Sequence, residues 1–148
     1  MNADLDPNSG ITAFPLGLAN RSGFSLWAPP SEIGAADAGL HKSYETPNTA
    51  MWMETLDSLV EKGVPAPTKL KIDVDGFEPE ILSAGKNLLG HPRLQSVMVE
   101  VDESNIKSMS EVLRIMSASG FEEPQTRHAP YFDENHYLPF SNYLFVKP

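Results

Sequence analysis

At 148 residues the chain has the size of one domain and is long enough to bury a core. Its formal charge of -9 and its lack of Lys/Arg clusters argue against a nucleic-acid or anionic-membrane surface, and the absence of Cys excludes a disulfide framework and thiolate metal sites. No apolar run reaches the roughly 18 residues of a membrane span, and the polar start from Met1 to Gly10 is unlike a signal peptide, so a cytoplasmic protein with small-molecule partners is expected.

Residues 1–10 carry no apolar period and are predicted to be a loose arm ahead of a single domain over 11–148. Ile11 to Ala19 reads as a strand interrupted by Pro15, which suits a sheet edge. After the turn signal Asn20-Arg21-Ser22-Gly23, Phe24-Ser25-Leu26-Trp27 alternates again, and the two segments are predicted to pair as a hairpin. Residues 28–48 form a long loop of Pro, Gly and small residues. Met51, Trp52 and Met53 read as core or lid. Thr55 to Gly63 is a short helix, with Ser58 and Glu61 at capping-box spacing and Gly63 as its stop.

Leu70, Ile72 and Val74 alternate with Lys69, Lys71, Asp73 and Asp75, the period of a strand, which Gly76 ends. From Pro79 the period changes, because Ile81, Leu82, Gly85, Leu88 and Leu89 share one helical face, and a helix is predicted over 79–89. A second strand over 96–102 follows, then a helix that opens on a Ser108/Glu111 capping box and closes at Gly120. The strand–helix–strand–helix order predicts a parallel core pair of an α/β sheet. Phe121–Arg127 and Asn142–Val146 have no helix between them and are expected to be antiparallel, joined by a long aromatic-rich loop.

Ligands of open α/β sheets bind at the carboxyl ends of the strands, which is where Asp73 and Asp75 lie. Asp75 can cap the next helix, and Glu78 and Glu80 lie near the positive end of its dipole, so folding roles account for all three. Asp73 precedes any cap and faces the same side as Lys71, so a cleft-lining role stands level with a structural salt bridge. The cluster lacks the acids of an EF-hand loop, and His128 and His136 are too far apart for a helical ligand pair, so no metal site is expected.

Thr55-Leu56-Asp57-Ser58-Leu59, then Leu70-Lys71-Ile72-Asp73-Val74-Asp75-Gly76-Phe77-Glu78, Ile81-Leu82 and Val99-Glu100, resembles the FkbM family of S-adenosylmethionine-dependent methyltransferases. Leu18-Ala19-Asn20 with Gly23 and the terminal Asn142-Tyr143-Leu144-Phe145-Val146 agree in the same order. The resemblance implies part of a class I methyltransferase (Rossmann-like) fold, a mostly parallel sheet with an antiparallel C-terminal strand pair. It implies methyl transfer from S-adenosylmethionine to a hydroxyl, usually of a sugar or secondary metabolite. The site residues that follow are Asp73 and Lys71 for catalysis, Asp73 positioning or deprotonating the acceptor hydroxyl with Lys71 beside it, and Glu100 and Glu78 for substrate binding. The family's glycine-rich strand–turn and acid-ended second strand have no counterpart before Lys69. The expectation is therefore a downstream, incomplete domain, with unassigned cofactor-binding residues and weak or no cofactor binding by the chain alone. The rival readings are a haloacid-dehalogenase-like phosphatase using Asp73-x-Asp75-Gly76, although Phe77 departs from that pattern, and a non-catalytic fragment.

Overall fold

The computed structural model describes residues 10–27, 49–74, 76–128 and 139–148. The arm over 1–9, the loop over 28–48, most of the aromatic loop before Phe140, Asp75 and His136 lie outside the described residues. Seven strands and four helices follow one another among the described residues: β1 (Gly17–Leu18), β2 (Gly23–Trp27), β3 (Thr49–Glu54), α1 (Leu56–Glu61), β4 (Lys69–Ile72), α2 (Glu78–Ser83), α3 (Lys86–Gly90), β5 (Ser96–Asp102), α4 (Ile106–Ala118), β6 (Gln125–His128) and β7 (Phe140–Val146). They form a mixed α/β structure with two sheets, of strand order β1-β3-β2 and β4-β5-β7-β6.

In the larger sheet β4 and β5 are parallel neighbours, as their connection through helices predicts. The last strand, β7, lies antiparallel between β5 and β6. Alternation decides the inner face. Val97, Val99 and Val101 of β5 and Ser141, Tyr143 and Phe145 of β7 are buried, together with Ile72 of β4. The apolar stripe of α4, Val112, Ile115 and Met116, closes onto that face with Ile81 and Leu82 of α2 and Leu88 and Leu89 of α3. Each of these side chains, fully buried, contributes about 1.5–3 kcal/mol before conformational entropy is charged against it. The opposite face carries Ser96, Met98, Glu100 and Asp102 on β5 and Phe140, Asn142, Leu144 and Val146 on β7, all only half-buried.

The smaller sheet departs from the sequence-based expectation. β1 and β2 are not a hairpin, because β3 lies between them, parallel to β1 and antiparallel to β2. The run Ala50-Met51-Trp52-Met53 lacks polar alternation, so its strand character shows only once it has partners on both sides. The helix expected over 79–89 is two helices. At the break, a Cβ on Gly85 would stand 2.7 Å from Leu56 Cδ1 and 3.0 Å from Leu56 Cβ, so α1 packs directly on backbone there. Asp57 of α1 then caps α3 from outside, its Oδ1 accepting the Leu88 N–H at 2.8 Å and its Oδ2 the Asn87 N–H at 3.0 Å.

The caps also begin earlier than expected. Thr55, not Ser58, is the N-cap of α1, and Thr55 and Ser58 exchange side-chain-to-backbone bonds of 3.0 Å in a full capping box. Asn105, not Ser108, caps α4 by accepting the Ser108 N–H. β4 stops at Ile72, three residues before the alternation ends, and β6 begins at Gln125 rather than Phe121. Phe121 is buried in the core instead.

Candidate functional site at the carboxyl end of the parallel strands

β4 ends in a turn whose shape depends on two residues. Gly76 has φ +103°, a conformation that side-chain-bearing residues rarely adopt, and it lets the chain reverse into α2. The helix has Phe77 as its N-cap, with no side-chain cap bond. Instead Glu78, at 5% exposure, turns its carboxylate back, and its Oε1 accepts the N–H groups of Val74 and Gly76, both at 3.2 Å. A charged acceptor thus fixes the backbone on either side of Asp75. Glu78, a substrate-binding candidate from the sequence, is the residue that shapes the loop.

Asp73 and Lys71 lie together on the half-buried face of the sheet, the Lys71 Nζ donating to Asp73 Oδ2 at 2.5 Å. The hydrogen bond to Asp73 and that carboxylate's charge raise the Lys71 pKa above its ordinary value, burial opposes this, and Glu100 adds a smaller attraction from β5. Lys71 is therefore a fixed cation over the physiological range. Glu100 belongs to the same face, one strand over, and stands opposite Asn142 of β7. The structure thus brings Asp73, Lys71 and Glu100 together and sends Glu78 elsewhere. A carboxylate at the end of a parallel strand, ion-paired and partly open to solvent, can accept a proton from a bound hydroxyl.

A separate groove of about 660 Å³ opens between β2 and the start of α2, lined among others by Arg21, Phe24, Leu26, Met53, Phe77 and Glu80. Lys71, Asp73 and Glu100 do not line it. Among the described residues no group of three or more His, Asp or Glu side chains could hold a metal ion, and no helix is long and apolar enough to cross a membrane.

One charged residue with a large structural role is not evident from the sequence pattern. Glu54, at 3% exposure, accepts from Ser22 Oγ at 2.7 Å, Ser58 Oγ at 2.6 Å and Trp52 Nε1 at 2.6 Å, and forms an ion pair with Lys62. The Lys62 ammonium first, then the two hydroxyls and the indole, hold its carboxyl far below the usual carboxylate range against the opposing effect of burial. This junction ties the turn before β2, the end of β3 and α1 into one unit. The only local hint is an acid that closes an apolar run just before a helix cap.

Compared with protein-family models, with curated proteins and with solved structures, the chain finds no match.

Proposed function

We propose that this chain belongs to an S-adenosylmethionine-dependent methyltransferase of the FkbM type, acting on a hydroxyl of a sugar or secondary metabolite. The observation that carries the reading is the Lys71–Asp73 pair at the carboxyl end of β4, facing the same side as Glu100. The parallel pair β4 and β5 and the antiparallel pairing of β6 with β7 support it, because the resemblance implies a parallel core with an antiparallel C-terminal strand pair. In this reading Asp73 takes the proton of the acceptor hydroxyl as the oxygen attacks, and Lys71 keeps the carboxylate oriented. The cofactor supplies an electrophilic methyl group. The residues present fit the acceptor side. No strand among the described residues ahead of β4 passes through a glycine-rich turn into a helix, and the cofactor-binding residues stay unassigned in this reading.

The test uses the chain alone and the chain fused behind the glycine-rich half of a complete family member. Cofactor binding is measured by calorimetry, and transfer by label from methyl-labelled cofactor to a panel of glycosides. The fusion is expected to bind and transfer, and the chain alone to bind weakly or not at all. Asp73→Asn should lower transfer by about 100-fold or more at an unchanged melting temperature. A fusion that folds but neither binds cofactor nor transfers methyl overturns the reading.

A further inference from the structure

The half-buried face of the larger sheet changes character along its strands. Toward the amino ends of β4 and β5 it carries Lys69 beside Ser96 and Lys71 beside Met98, with Leu144 opposite Met98 and Val146 opposite Ser96. Toward the carboxyl ends Glu100 stands opposite Asn142, one strand away from Lys71 and Asp73. Asp73, Lys71, Glu100 and Asn142 therefore form a polar row across three adjacent strands. At about 4.8 Å between strands, the row is ~10 Å broad.

The composition of that row goes beyond what proton removal needs. A single isolated hydroxyl requires one base, and Asp73 suffices. Lys71 can only donate and the carboxylates can only accept, whereas the Asn142 amide does both. A hydroxyl also donates and accepts, so an amide beside the carboxylate of Glu100 is matched to neighbouring hydroxyls on one ring. Asn142 is only half-buried, and its strand is held rigidly between β5 and β6, which places a binding group on a fixed element rather than a loop.

We propose that Asn142 is an acceptor-specificity residue: its amide binds a further hydroxyl of the same ring whose reacting hydroxyl is presented to Asp73, restricting the acceptor to polyhydroxylated rings. This rests on the methyltransferase reading for the identity of the reacting hydroxyl, but the binding itself does not require the cofactor.

The experiment follows the Asn142 side-chain amide of the full chain by nitrogen-15 NMR during titration with the methyl glycosides of glucose, mannose and fucose, with cyclohexanol as the single-hydroxyl control. At least one glycoside is expected to shift that amide and cyclohexanol to leave it in place. Asn142→Ala should weaken the binding tenfold or more, while Gln125→Ala, an exposed position on β6, leaves it unchanged. Asn142→Ser keeps a donor and an acceptor and should retain part of the binding, which covers the case in which the alanine variant does not fold. The inference is overturned if no glycoside moves the amide, if cyclohexanol moves it equally, or if Asn142→Ala binds like the wild type. Glycoside binding at Asn142 in a fusion that takes up no cofactor would support the inference and sink the methyltransferase reading. Cofactor uptake with an unmoved Asn142 amide would do the reverse.

Discussion

Removing the Glu78 carboxylate tests whether the loop that carries Asp73 is built by its own sequence or held from the helix behind it. In Glu78→Ala the N–H groups of Val74 and Gly76 lose an acceptor that both reach at 3.2 Å. Hydrogen bonds to a charged group are worth about 1.5–3 kcal/mol each, and the long distances place both at the lower end, so the pair accounts for about 3 kcal/mol. The lost negative charge at the start of α2 adds about 0.3–1 kcal/mol. Against a total stability of about 5–15 kcal/mol this is a large fraction, and at about 2–4 °C per kcal/mol for this size of chain it lowers Tm by roughly 7–16 °C. Glu78→Gln keeps an amide oxygen in the same place and exchanges two charge-assisted bonds for neutral ones, so it should cost about 1–2 kcal/mol. Urea denaturation followed by circular dichroism gives the energies, and amide hydrogen exchange reports whether protection at Val74 and Gly76 is lost first. An alanine variant within about 0.5 kcal/mol of the wild type, within the usual scatter of surface substitutions, would show that the loop does not depend on Glu78. A glutamine variant as damaged as the alanine one would show that charge, not the acceptor geometry, is what matters.

Two further outcomes follow from other buried contacts. Because the Glu54 carboxyl is held below its ordinary value of 4.5, its contribution to stability is fully present above that pH and is lost as the pH falls below it. Glu54→Gln should therefore melt lower than the wild type at pH 7, with the gap narrowing between pH 4.5 and the acid limit; thermal melts at pH 7, 4.5 and 3 that show a constant gap would refute the assignment. Asp57→Ala leaves the Asn87 and Leu88 N–H groups at the start of α3 without their acceptor and should cost about 1–2 kcal/mol in urea denaturation, with Asp57→Asn recovering part of that loss.

Local repeats in the sequence determined much of this protein. The period of two in Ser96–Asp102 marked β5 and its buried valines, the period of 3.6 marked α4, and the connection between β4 and β5 required them to run parallel. The alternation predicted that Lys71 and Asp73 face the same side, and they meet in an ion pair there although β4 ends at Ile72. Partner choice was not local. Nothing in Ile11–Trp27 indicates that β3 comes between its two strands, because pairing depends on a segment more than twenty residues later. The break between α2 and α3 was hidden for the same reason: Gly85 fits the helical stripe, and the α1 residues that pack on and cap the break, Leu56 and Asp57, come from almost thirty residues earlier. The inward turn of Glu78 and the burial of Glu54 among Lys62, Ser22, Ser58 and Trp52 were likewise decided by tertiary structure. A carboxylate reads as exposed in sequence until folding supplies enough donors to offset its desolvation, and here the donors come from up to 32 residues away.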